Sequence, residues 1–402
     1  MFVAMFALLT SVPGLPVAAQ SMLLPESTAG RGRHVAATSI IQVGRDRTVK
    51  RIAQAALLAK SGDTIEIDAG EYVGDVATWP QSELTIRGVG GRARITQNEK
   101  AAEGKALWVV KGDNVLIENI EFAGAHVPDR NGAGIRHEGR RLVVRNCLFE
   151  GNEMGLLTWN NQGAELVVEQ SEFRNNAALP YVRGGPIGHQ IYVGTIARFT
   201  LRDSYVHGGS YGHLVKSRAR ENRVFNNRIT DEVSGRASYE LEFPNGGVAY
   251  VIGNIIQQSA LTENAAIVSL GAEGYRWSHN ELYLVNNTLI DGLPYGGTFL
   301  RVYKGAHEIR VINNILVGTG SLETEPSWRS AGNARAASGD LPRSGEGDYR
   351  LDQNSALAGT AVDPGTANGV SLAMEREYTG PLQSRPLSRP ISSPGAVQTA
   401  AP

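Results

Sequence analysis

The stretch VLIENIEF, residues 115–122, is one of eight related phrases in this chain. The others are LVVRNCLF (142–149), LVVEQSEF (166–173), FTLRDSYV (199–206), RVFNNRI (223–229), YVIGNII (250–256), YLVNNTLI (283–290) and RVINNILV (310–317). Each is an apolar run punctuated by Asn or a relative and followed by a second apolar pair. Aligned on Asn119, Asn146, Gln170, Asp203, Asn227, Asn254, Asn287 and Asn314, they stand 27, 24, 33, 24, 27, 33 and 27 residues apart. Intervals that differ by loop-sized amounts suit a solenoid, in which strands stack while loops vary. The leucine pattern and helical segments of leucine-rich repeats are absent. Val, Ile and Gly with several short strand signals per unit predict instead an all-β chain, a right-handed parallel β-helix. Asparagines at one position of successive coils can hydrogen-bond the coils above and below, so the column is expected to stack inside one bend and to carry no chemistry.

The entrance to the repeats agrees. RTVKRIAQAALLAKSGDTIEIDAGEYVG, residues 47–74, carries a helical apolar stripe through Ile52, Ala55, Ala56 and Ala59, then Gly62 as a stop, then the alternating strand TIEI. Such a helix can cover the otherwise open first coil. A capping helix followed by GDTIEIDAGEY and Asn-punctuated coils resembles the pectate-lyase-like superfamily of parallel β-helix proteins over about residues 40–320. Residues 321–380 lose the repeat and are expected to form an irregular C-terminal segment. The Pro, Ser and Arg content of 381–402 reads as a loosely ordered tail.

Composition narrows the function. With 402 residues, 42% hydrophobic side chains and 47 glycines the chain can bury a large core, while 39 Lys+Arg against 40 Asp+Glu argues against a general nucleic-acid or membrane-surface binder. The opening MFVAMFALLTSVPGLPVAAQ reads as a secretory signal over residues 1–19, too short for a membrane span, and implies a periplasmic or secreted protein. Cys147 is the only cysteine, so no internal disulfide is available.

The candidate site comes from strand phase. Taking Ile191, Val215, Leu241 and Val268 as inward makes Tyr192, Lys216, Glu242 and Ser269 outward neighbours on successive coils, with Arg136 and Arg301 extending the row. Arg218 and Glu240 are expected on the same face, about 7 Å along the strand. His189 and His213 occupy equivalent positions on the opposite face and read as a buried pair. Cys147 reads as core. Trp159 is a candidate sugar-stacking platform, and Asn245 and Arg236 are candidate substrate contacts. A Lys216–Glu242 surface ion pair is the alternative that needs no chemistry.

β-Elimination of a uronic-acid polymer needs a cation at the carboxylate, a base for the adjacent proton and an acid at the leaving oxygen. A lysine beside Arg218 suits the base, because like charge disfavours its protonated form. VKSRARENRVFNNRI, residues 215–229, resembles the alginate lyase and chondroitinase B family, which implies Lys216 as base and an arginine on the next coil. The next coil here reads ASYELEFPNGG and offers Glu240 and Glu242 instead, leaving the acid to Arg218, Arg236 or Tyr192. Those two carboxylates can alternatively hold Ca²⁺ or form a hydrolase pair. The expected partner is thus a polysaccharide, acidic in character. The expected activity is elimination by an exported enzyme, with glycoside hydrolysis or non-catalytic binding and adhesion as alternatives.

Overall fold

The computed structural model describes residues 39–398, so the expected signal segment lies outside the described residues. Helix Ile52–Leu58 buries Ile52, Ala55 and Ala56 against the first strands. Its N-terminal amides are held from the next coil, where Asp75 accepts from Ile52 N at 2.6 Å and from Ala53 N at 3.0 Å. Beyond it the chain winds through parallel strands. One wall has ten, from Ala77–Trp79 to Ser321–Leu322. The other long sheet holds two further walls: Val115–Glu118, Arg141–Arg145 and Asn161–Glu169 pair in one, Ile120–Ala123, Leu148–Glu150 and Glu172–Arg174 in the next. The architecture is a parallel β-helix. Aromatic side chains run in contact along its axis: Trp79 meets Trp108 and Trp108 meets Phe122 edge to face, and Phe122, Phe149 and Phe173 stack, the last two with ring centroids 4.4 Å apart.

The asparagine column divides into two. Between the second and third walls the first corner residue takes a positive φ, as at Asn119 (56°), Asn146 (50°), Asn226 (53°), Asn286 (50°) and Asn313 (56°), a conformation that Asn tolerates better than most side chains. The next residue points inward. There Asn227 N bonds Asn254 Oδ1, Asn254 N bonds Asn287 Oδ1 and Asn287 N bonds Asn314 Oδ1, each at 2.9 Å. Ser204, Ser171 and Cys147 continue this inner column on earlier coils. The expectation that Asn119 and Asn146 stack with Asn227 is therefore corrected. Asn146 is exposed, and both belong to the corner, where a positive φ and not a buried ladder selects them.

Charges interlock along the outside of the second wall. Glu66, Arg87, Glu118, Arg145, Glu169 and Arg202 stand in register on six successive coils. Arg87 bonds Glu66 at 2.7 Å, and Arg145 bonds Glu118 at 2.7 Å and Glu169 at 2.5 Å.

The coils extend past 320, since Arg329–Ala331 and Ala334–Arg335 still pair with the preceding turn. The expected loose tail is also revised. Gln383–Pro386 pairs with Arg376–Gly380, and Ala396, Val397 and Gln398 are buried. Apolar side chains explain this order: Leu372 and Met374 cover Tyr250, Tyr283 and Ile312, while Tyr378, Ala396 and Val397 cover Ile255, Ile290 and Ile315. The C-terminal segment thus clothes the second and third walls.

Candidate functional site

Strands Ile191–Val193, Val215–Ser217 and Leu241–Phe243 lie side by side in the ten-stranded wall, with Tyr192, Lys216 and Glu242 in one row. Ile191, Val193, Val215, Leu241 and Phe243 are fully buried in the lumen, which sends the residues between them outward. The row continues through Ser269 to Arg301 on one side and through Leu157 to Arg136 on the other. Just past its strand, Arg218 turns back to this row. Its Nε donates to the Tyr192 hydroxyl at 3.0 Å and its Nη1 to Asn245 Oδ1 at 2.5 Å.

At the centre sits Glu273, which strand phase does not reach. It lies in the loop between strands Ala266–Leu270 and Glu281–Val285. Lys216 Nζ donates to Glu273 Oε1 at 2.7 Å, Arg218 Nη2 to the same oxygen at 3.0 Å, and Arg218 Nη1 lies 2.7 Å from Oε2. On its other side Lys216 Nζ is 3.2 Å from Glu242 Oε2, which in turn is 2.9 Å from His213 Nε2. The available signal for Glu273 was the 33-residue interval between Asn254 and Asn287, which is long enough for an inserted loop.

Electrostatics follow from this packing. Burial pushes the Glu273 carboxyl up, but hydrogen bonds from Arg218 and Lys216 outweigh it and hold the group down at about 2. Glu242 is likewise raised by burial and brought below the usual carboxylate range by His213 and Lys216. Burial lowers both histidines, His189 well below its ordinary value. Their rings pack 4.9 Å apart.

Several expectations change. Lys216 is 9% exposed and Glu242 only 2%, so they form a sheltered network rather than a surface ion pair. His213 is buried as expected, yet its ring serves the Lys216 side of the wall through Glu242. Glu240 does not share the face of Glu242. It lies in the bend before the strand, where alternation does not hold, and its fully buried side chain has both carboxyl oxygens unpaired. Burial drives it well above the ordinary carboxylate range, with Asp231 and Asp291 adding to the rise. Glu240 and Glu242 therefore form neither a Ca²⁺ cage nor a hydrolase pair. Arg236 stands apart, bonded to Glu263 at 2.6 Å with its guanidinium 4.9 Å from the Tyr211 ring centroid. Asn245 is buried and orients Arg218. Trp159 is 55% exposed, with the Arg136 guanidinium 5.0 Å from its ring centroid. Arg136 is itself bonded to Glu138 at 2.8 Å. Cys147 lies in the core, where burial pushes its thiol up to about 12.

Comparison with known proteins bears on the fold. The family described as right-handed beta helix region matches residues 43–229. The crystal structure of pectate lyase Pel9A superposes with a TM-score of 0.61 at 15% identity, covering 90% of this chain and 97% of that one. A PL6 family polysaccharide lyase from Pseudopedobacter saltans gives a TM-score of 0.43 at 13% identity, covering 77% and 96%. The A-module of a mannuronan C-5 epimerase from Azotobacter vinelandii gives 0.37 at 14% identity, covering 71% and 93%. No curated protein sequence matches the chain. Among the described residues no helix is long and apolar enough to cross a membrane, and no group of three or more His, Cys, Asp or Glu is arranged to hold a metal ion.

Proposed function

We propose that this chain, a right-handed parallel β-helix of the pectate-lyase-like superfamily, binds an acidic polysaccharide across its ten-stranded wall and cleaves it by β-elimination. One observation carries the reading: Lys216 and Arg218 close on a single carboxylate while the Tyr192 hydroxyl lies against the same guanidinium. Elimination needs this set of groups. Arg218 neutralises the uronate carboxylate and so acidifies the proton on the neighbouring carbon, Lys216 first releases a proton to solvent and then, as the neutral amine, accepts the proton from that carbon, and the electron pair expels the linked sugar oxygen. Tyr192 serves that oxygen. Because its own oxygen accepts from Arg218 Nε, its hydrogen is free to be donated to the leaving group. The local likeness of residues 215–229 to alginate lyase and chondroitinase B supports Lys216 in the base role. Action in the periplasm or outside the cell, where such polymers occur, belongs to the same proposal.

The test is incubation of purified protein with polygalacturonate, alginate and chondroitin sulfate, following both ultraviolet absorbance of the unsaturated product and new reducing ends. Elimination yields both signals together. Reducing ends without absorbance would mean hydrolysis, and retention of a polymer with neither signal would mean a binding wall.

A further inference from the structure

The carboxylate held by Lys216 and Arg218 comes from a loop and not from the wall. Its side chain is 42% exposed, against 11% for Lys216 and 17% for Arg218, so Glu273 is the outermost member of the network and stands between the two cations and solvent. The loop backbone around it is pinned. The Tyr275 ring fills space left by Gly246, Gly271 and Gly305, its hydroxyl donates to Tyr303 O at 2.6 Å, and Trp277 Nε1 donates to Arg218 O at 3.1 Å. Glu273 N is itself tied to Pro244 O at 2.9 Å. The side chain alone is therefore free to swing out, through a rotation about its own bonds. Its departure would leave Lys216 and Arg218 facing only Glu242, with one positive charge uncompensated. That vacancy fits a single anionic carboxylate gripped by the Arg218 fork and the Lys216 ammonium.

We infer that Lys216 and Arg218 form a seat for one uronate carboxylate, that Glu273 occupies this seat as an internal competitor, and that a ligand must displace it to bind. The inference rests on the reading of this wall as a polysaccharide site and adds the group that is recognised: a free carboxylate, not its ester and not a neutral sugar. An ester carries no charge to replace that of Glu273. A competitor that fills the seat reduces apparent affinity by the fraction of time the seat is open, so neutralising it should tighten binding by the inverse of that fraction.

The experiment is calorimetric titration of the full chain and of Glu273→Gln with D-glucuronate and with its methyl ester. If the seat is open about a tenth of the time, Glu273→Gln binds glucuronate roughly tenfold more tightly than wild type, and neither protein gains affinity for the ester. Equal or weaker glucuronate binding by the variant overturns the inference, as does equal tightening for the ester. Should Glu273→Gln fail to fold, Glu273→Ala gives the same comparison. A monosaccharide has no glycosidic bond to break, so the outcome is independent of cleavage. Tightening by a protein that cleaves no polymer would refute elimination alone, and cleavage of a polyuronate with unchanged glucuronate affinity would refute the seat alone.

Discussion

Replacing Asn254 by Ala tests the inner ladder, and the structure sets the size of the effect. Asn254 Oδ1 accepts from Asn227 N and Asn227 Nδ2, each at 2.9 Å, and Asn254 Nδ2 donates to Val224 O at 2.8 Å and Asn287 Oδ1 at 3.0 Å. Asn287 Oδ1 keeps the bond from Asn254 N, and Asn227 Nδ2 keeps Leu201 O, so those two groups stay satisfied. The Asn227 N–H and the inner bond to the Val224 carbonyl are lost, in a lumen where Asn227 and Asn254 are fully buried and water cannot substitute. The Val224 carbonyl keeps its ladder bond to the next coil, so at about 1–3 kcal/mol for the one buried amide left unpaired and about 0.5–1.5 kcal/mol for the inner bond lost, the variant should lose roughly 1.5–4.5 kcal/mol. That is a large share of the ~5–15 kcal/mol typical of a folded domain. Asn146→Gly is the control, because at an exposed corner with φ of 50° glycine suits the backbone and little should change. Urea unfolding followed by circular dichroism measures both. Equal losses for the two variants, or a loss below about 1 kcal/mol for Asn254→Ala, would show that the ladder does not carry the stability its geometry implies.

Lys216→Ala should lower the rate of unsaturated-product formation by about 10²-fold or more if Lys216 is the base. Arg218→Ala should weaken binding of an anionic chain, with the difference from wild type shrinking as salt rises. Undiminished turnover by Lys216→Ala on a polymer that the wild type cleaves would remove it from the chemistry. The buried Asp231 carboxyl, raised by burial from 3.8 to about 7, gives a pH prediction. The folded chain keeps this proton where the unfolded chain has lost it, so the stabilisation is complete below about pH 4 and is lost as the pH climbs to about 7, a span of roughly 4 kcal/mol. Asp231→Asn should flatten that stretch of the stability profile in urea midpoints. A slope identical to wild type would contradict the assignment.

The row of Tyr192, Lys216 and Glu242 was legible because a strand has a period of two and Ile191, Val215 and Leu241 announce its phase. The repeat was legible from its eight Asn-punctuated phrases, but coils at both ends of the ten-stranded wall carry no such phrase. Phase fails at bends, which is why Glu240, two residues before Glu242, turned out to face the lumen. It also fails where two asparagines adjoin: in Asn226–Asn227, Asn286–Asn287 and Asn313–Asn314 the corner and the ladder use neighbouring residues of one type, so alignment by eye joins two columns. Glu273 was hidden by its place in a loop, where neither strand nor helix periodicity applies. Only the folded coils bring it to Lys216, 57 residues away in sequence.

The row Glu66, Arg87, Glu118, Arg145, Glu169 and Arg202 bears on how such a chain can lengthen or misthread. Its signs alternate from coil to coil. A strand that skipped one coil during folding would set Glu beside Glu or Arg beside Arg at the point of the skip, whereas a skip of two would keep the alternation. The same arithmetic governs gene duplication: in this part of the solenoid, coils can be gained or lost in pairs without electrostatic conflict, but a single added coil brings like charges together at one of its faces.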